Sequence, residues 1–318
     1  SPSSTCTPNK TKKGAIGNLT SSAPAAAWRA ADVGKYVHIN GGTVEIIGWT
    51  STQVVRMKVL TALSSTTGSI DWTLEVAAWS AARGYPKAVC FYEDRLYFAG
   101  TASQPNTIWG SAVGDYTNMA LGSEADDAVE FTVNALECNV IQWLFPTKYL
   151  LAGTNGEEFP LKADAGPIAP DNPPELKASS NKGASPARPA RIGNSTFFVQ
   201  AMKRKLLEYG YSWESEDNDG TDRSVMSEHI TEGGIEELAY QQEPYSILWC
   251  RLGTGNLATF TYHKDEKVFG WAMQITEGIV ESICVVSNAV SLRHDLWAII
   301  NRNINGSSYR MIEYLDPD

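Results

Sequence analysis

Asp222 and His229 stand seven residues apart, and a carboxylate and an imidazole could share acid–base work if the fold brought both to one pocket. Hydrogen bonds that fix a loop explain the same pair without chemistry, and that is the reading adopted. The run Glu214-Ser215-Glu216-Asp217-Asn218-Asp219-Gly220 is dense enough in carboxylates to suggest calcium. It lacks the regular ligand order of an EF-hand loop and its closing bidentate glutamate, so it reads as a solvated acidic turn. Asn155-Gly156 and Asn305-Gly306 fall between strand-like runs, where residues with positive φ turn the chain and no phosphate cradle is required. Neither a Gly-x-Ser-x-Gly elbow nor a nucleotide loop occurs. Cys6, Cys90, Cys138, Cys250 and Cys284 are scattered, odd in number and never in CxxC spacing, and four lie in apolar runs. They read as buried free thiols in a reducing compartment, and four distant histidines make no metal cluster. No catalytic, cofactor-binding or metal-ligating residue is assigned, and the chain reads as non-enzymatic.

The 10 Trp and 13 Tyr residues offer a different chemistry, carbohydrate binding on aromatic platforms. Most are expected to pack in sheets instead, where large flat rings fill the space between neighbours. A glycosidase would need two carboxylates on opposite sides of a scissile bond, and a pair lining a deep pocket would strengthen that reading. The formal net charge of -10, from 26 basic and 36 acidic side chains, argues against gripping nucleic acid through its phosphates. It is compatible with a surface that DNA passes without sticking. No apolar run approaches the roughly 20 residues of a membrane helix.

The elements that would position any such group are strands. Residues 1–27, rich in Ser, Thr, Pro and Ala, suit an extended arm or a truncated linker. Residues 28–78 carry four or five short strands, including Tyr36-Val37-His38-Ile39, an Asn40-Gly41-Gly42 turn and Val44-Glu45-Ile46-Ile47. That suits a small β-barrel. Over 79–318 an apolar strand pattern repeats. Leu96, Leu150, Phe197, Ile247 and Leu296 lie in register at intervals of about 54, 47, 50 and 49 residues, the size of a propeller blade. The expected fold class is therefore all-β, a β-propeller with about five visible blades behind a small N-terminal β-barrel domain. A β-sandwich with accidental regularity is the alternative. A Pro-rich stretch at 164–191, with six prolines after Gly166, is expected to form a long surface loop that contacts a neighbour. Both ends of the chain read as cuts, which suggests a fragment.

Several segments resemble structural tail proteins of double-stranded-DNA bacteriophages and prophages. They are Trp79-Ser80 with Gly84-Tyr85-Pro86, Arg95 to Gly100, Ile108-Trp109 and Gly114-Asp115-Tyr116, then Asp222 through Ile230. Pro244 to Trp249, Gly255-Asn256-Leu257 and Gly270-Trp271 follow, with Asp295-Leu296-Trp297 and Tyr309 to Tyr314 at the end. The resemblance implies a virion protein of the short-tail nozzle or tubular type, located in the tail and made in the bacterial host cytoplasm. Its implied partners are copies of itself in a ring, neighbouring tail or connector proteins, and DNA in transit. A carbohydrate-binding, receptor-recognising propeller module is the alternative, and a glycosidase a more distant one.

Overall fold

Alternation of apolar and polar residues, rather than helical spacing, runs through the chain, and its described elements are strands apart from one 3-10 turn at Ala30–Asp32. The structure, a computed structural model, describes residues 4–22, 28–75, 78–81, 83–133, 140–212 and 217–315, with backbone only for 211–212 and 217–219. Cys138, residues 214–216 of the acidic run and the last three residues lie outside that set. The chain divides into two compact units, Ser1–Asn134 with Leu161–Leu176, and Ala135–Pro160 with Lys177–Asp318.

In the first unit, six strands form one antiparallel sheet: β1 (Cys6–Pro8), β2 (Ile16–Ser21), β3 (Tyr36–Ile39), β4 (Gly42–Trp49), β5 (Val54–Val59) and β6 (Trp72–Glu75). Their order is β1-β2-β5-β4-β3-β6, so β1 and β2, from the segment read as an arm, are part of it. The β3–β4 hairpin turns on Asn40 and Gly41, with φ of 51° and 73°, the left-handed pair that a two-residue loop demands. Inward positions Leu19, Val37, Val44, Ile46, Val55 and Met57 are fully buried, and Trp28 packs on Trp72 at 5.3 Å between ring centroids. The sheet curls into a half-barrel rather than the closed barrel expected over 28–78. Its edges are latched at one point: Cys6 and Ser69 exchange both backbone hydrogen bonds, and Trp72 Nε1 donates to Ser4 O. The same unit holds a four-stranded meander of β7 (Ala88–Tyr92), β8 (Arg95–Ala99), β9 (Thr107–Gly110) and β10 (Val129–Thr132). Arg95 is 1 % exposed and donates to Ser111 O, Asp127 O and Ala125 O, which ties the β9–β10 connection to the sheet.

The second unit repeats the meander. Its sheets are β11 (Ile141–Pro146), β12 (Leu150–Thr154) and β13 (Glu158–Leu161); β14 (Ala190–Ile192), β15 (Ser195–Val199), β16 (Leu206–Ser212) and β17 (Asp217–Asp222); β18 (Ile235–Gln241), β19 (Ile247–Leu252), β20 (Leu257–His263) and β21 (Val268–Gln274); and β22 (Ile279–Asn288), β23 (Arg293–Ile304) and β24 (Ser307–Tyr314). Leu161, the last residue of β13, is grouped with the first unit. Successive sheets share cores: Trp143 and Phe145 with Phe198 and Leu207, Phe197 with Leu248 and Phe260, and Trp249 with Leu296 and Ile300. Each fully buried Phe contributes about 1.5–3 kcal/mol by leaving water. The five meanders follow the recurrence read from the sequence, with Leu96, Leu150, Phe197, Ile247 and Leu296 each on the second strand.

Two local expectations are corrected, and the Pro-rich stretch gains detail. Residues 217–222 of the acidic run and its flank are not a turn but strand β17, paired with β16 from Leu207↔Asp222 to Ser212↔Asp217. Backbone pairing to an established strand overrides the poor strand propensity of Asp, Asn and Gly. The Pro-rich stretch has irregular backbone between β13 and β14, as a loop does, and it is anchored in both units. In the first unit Ile168 is 2 % exposed and its N–H donates to Glu93 Oε2, while Glu175 bridges to Lys162. In the second, Ser180 bridges to Glu158 and Ala184 to Gln200, so prolines without N–H groups run where few backbone partners are needed. At Asn155-Gly156 the chain turns without positive φ. The Thr154 hydroxyl accepts from the N–H groups of Gly156 and Glu157, and Asn155 Oδ1 accepts from Val140 N. Asn305 and Gly306 do have positive φ, 51° and 81°.

Candidate cleft of paired aromatics and glutamates

Two cross-strand pairs build the site, both in the first unit. On the half-barrel, β3 and β6 set Tyr36 directly opposite Glu75, so both side chains leave the same face. On the four-stranded meander, β9 and β10 set Trp109 opposite Glu130, and β8 sets Phe98 opposite Trp109. Trp79 comes from the connection between the sheets and packs edge-on against both rings, 4.6 Å from Phe98 and 5.8 Å from Trp109. Tyr36, Glu75, Trp79, Trp109 and Glu130 line a cleft of about 420 Å³, with Arg83, Gln104, Met119 and Leu121 completing its wall.

Its electrostatics follow from that enclosure. Glu130 is exposed on β10, and its place in the cleft partly desolvates its carboxyl. This partial burial, helped by the charge of Glu75, pushes the Glu130 carboxyl above the ordinary range, while the Trp109 N–H beside it works the other way. Glu75 Oε1 lies 2.9 Å from His38 Nε2, and His38 Nδ1 lies 2.8 Å from Thr43 Oγ1. Burial, and then the charge of Glu45 on the facing strand, push the Tyr36 hydroxyl up. The indole nitrogens of Trp79 and Trp109 are buried without a hydrogen bond of ordinary geometry, although Trp109 is only 4 % exposed. Rings of this kind take the C–H face of a flat, amphipathic ligand, while carboxylates accept from its hydroxyls or ammonium groups.

Asp222 and His229 do not converge. The Asp222 carboxylate accepts from Ser224 N and Oγ and pairs with Lys205 Nζ at 3.0 Å, while His229 is exposed and makes no bond to it. Asp222 thus fixes a loop, as read; His229 has no share in it. A second polar cluster is structural. Glu208, 4 % exposed, accepts from Ser195 Oγ, Tyr262 Oη, Lys264 Nζ and Arg223 Nε. Burial pushes its carboxyl up, but these four bonds outweigh that and hold it down at about 2. Every lone pair that could act is already engaged, so nothing there invites a substrate. Cys6 and Cys250 are buried, as expected, but Cys284 is exposed. Among the described residues no group of three His, Cys, Asp or Glu could hold a metal, and no helix is long and apolar enough to cross a membrane.

The sequence reading missed Tyr36, Glu75 and Glu130 as site residues, and it quoted Trp79 and Trp109 only for a resemblance. Cross-strand register brings these residues together, and no spacing along the chain reveals it.

No protein-family model matches the chain, and no curated protein does. Among solved structures it is similar to an auxiliary nutrient binding protein from Bacteroides thetaiotaomicron, with 10% identity over 100% of this chain and 85% of that one, at a TM-score of 0.39. A counterpart from Bacteroides ovatus matches at 9% identity and TM-score 0.38, over 99% of this chain and 86% of that one. A luciferin-regenerating enzyme matches at 12% identity and TM-score 0.30, over 73% and 91%. The expected kinship with phage tail proteins is corrected: neither family nor curated match supports it, and these neighbours are nutrient-binding proteins and an enzyme, not tail proteins. The virion location, the ring around DNA and the connector partners fall with it. At these TM-scores the neighbours carry no argument about what this chain binds, which rests on its own geometry.

Proposed function

We propose that this chain is a non-enzymatic carbohydrate-binding protein whose sugar site is the cleft of Tyr36, Trp79 and Trp109. The observation that supports it is the composition of that wall. Two partly exposed rings, Tyr36 and Trp79, backed by the buried Trp109, offer a stacking surface beside two glutamates, one arginine and one glutamine that give donors and acceptors for hydroxyl groups. The nutrient-binding description of two structural neighbours is in keeping with this reading without adding weight to it. The consecutive packing of meander sheets on shared cores supports reading them as propeller blades, an arrangement that offers its binding surfaces through connecting segments such as the one that carries Trp79.

A glycan array probed with the purified chain, followed by titration of the best hits into Trp79→Ala, tests the site. Binding that falls at least about tenfold in the variant supports the assignment. A blank array, or hits indifferent to Trp79→Ala, refutes it. One observation favours a second reading: Glu75 and Glu130 both line the cleft, and glycoside hydrolysis uses a pair of carboxylates in one site. Release of product from chromogenic glycosides, abolished by Glu130→Gln, would replace the binding role with a catalytic one.

A further inference from the structure

We infer that the cleft selects a saccharide that carries a free, protonated amine, of the glucosamine type, over neutral sugars of the same shape. The inference rests on the carbohydrate-binding reading and names the class of ligand within it.

On each of the two sheets a glutamate that lines the cleft stands directly opposite an aromatic residue, Glu75 opposite the partly exposed Tyr36 and Glu130 opposite the buried Trp109, and the partly exposed Trp79 also lines the cleft. A neutral pyranose needs the rings and one acceptor; a second carboxylate close enough to act on the first only adds repulsion. That repulsion is present, because the charge of Glu75 acts on the Glu130 carboxyl. A cation seated between them removes it and gains both carboxylates as partners. The rings favour the same occupant, since an ammonium beside the face of Trp or Tyr is attracted by the ring quadrupole. The cleft's own cations do not fill this role. Arg83 is exposed, and the groups that set the state of Glu130 are the enclosing walls, Glu75 and Trp109, not Arg83. His38, on the same face of β3 as Tyr36, engages one oxygen of Glu75 through Nε2, while its Nδ1 bonds Thr43 Oγ1. The chain's net charge of -10 adds a field that draws cationic ligands rather than anionic ones. An acetyl cap on the nitrogen separates ring stacking from charge. Acetylation keeps the pyranose face for stacking but removes the charge.

The test is calorimetric titration of the whole chain with oligomers of glucosamine and of N-acetylglucosamine of equal length, at about pH 6, where the amine and most of the carboxylate character coexist. The expected result is about tenfold tighter binding of the free-amine oligomer. In Glu130→Gln, and separately in Glu75→Gln, that ratio should fall towards one, with circular dichroism confirming that the variants are folded. Equal binding of the two oligomers by the unaltered chain overturns the amine inference and leaves the carbohydrate reading standing. Binding of neither oligomer, nor of any neutral glycan, overturns both. A preference for the amine that survives in both glutamine variants also overturns the inference, because it would then arise elsewhere on the acidic surface.

Discussion

Glu158 opens the second unit to a quantitative test. Its carboxyl is fully buried on β13, where Oε2 accepts from Ser180 Oγ and from Lys182 N, while Oε1 has no partner. Burial drives this carboxyl up from 4.5 to about 7, against the pull of the Ser180 hydroxyl and the Lys182 and Gly183 N–H groups. That difference corresponds to about 3 kcal/mol between the two protonation states. Because the folded pKa is raised, the folded chain holds a proton that the unfolded chain gives up first. The fold therefore loses stability as pH climbs from about 4.5 to about 7, and the loss is complete above that. Glu158→Gln keeps the shape and the acceptor oxygen but cannot ionise. Urea midpoints of the two proteins should coincide at about pH 4 and separate in favour of the variant by about 1–3 kcal/mol at about pH 8, the upper value being the full ionisation term. A gap that does not change with pH would sink the argument. So would a gap that narrows as pH rises, because the carboxylate would then be stabilised in the fold.

Other perturbations have equally definite outcomes. Glu208→Ala leaves Arg223 and Lys264 without their shared carboxylate and should cost about 3–5 kcal/mol in denaturant unfolding. In the intact protein the contribution of Glu208 is present above its ordinary value of 4.5 and is lost as pH falls towards about 2, the reverse of Glu158. Arg95→Met strands three carbonyls of the β9–β10 connection and should lower stability by several kcal/mol, about 1–3 per group left unpaired, which thermal unfolding would register. A thiol reagent followed by peptide mapping should label Cys284 well before Cys6 or Cys250, whose thiols burial pushes up, that of Cys6 to about 12. Equal labelling rates would mean that the buried positions open freely.

Strands were legible wherever apolar residues alternate and a turn residue closes the run. Tyr36 to Ile47 shows this, because Asn40 and Gly41 take the φ values their types favour. Residues 217–222 were illegible because five of the six residues in Asp-Asn-Asp-Gly-Thr-Asp disfavour a strand; β16 supplies the reason. The Pro-rich stretch was legible as irregular backbone, but not its anchoring. Proline content signals irregular backbone, and irregular backbone can still be buried when a side chain such as Glu93 receives its N–H groups. The cleft lay beyond the sequence for a geometric cause. Glu75 and Glu130 become neighbours only once β6 has found β3 and β10 has found β9.

The latch between Cys6 and Ser69 has a kinetic side. Every meander in the chain joins strands that are adjacent in sequence, so each sheet can assemble as it leaves the ribosome. The half-barrel cannot: β2 must wait for β5, and Cys6 for Ser69, with the whole of β3 and β4 synthesised in between. Closing that larger loop costs chain entropy before any contact repays it, and non-local pairing of this kind slows folding. The N-terminal strands of this sheet are thus among the last of it to find their partners. The wall of the cleft that holds Tyr36 and Glu75 belongs to this late-closing sheet, so the site matures on the timescale of the half-barrel rather than of the hairpin that holds Trp109 and Glu130.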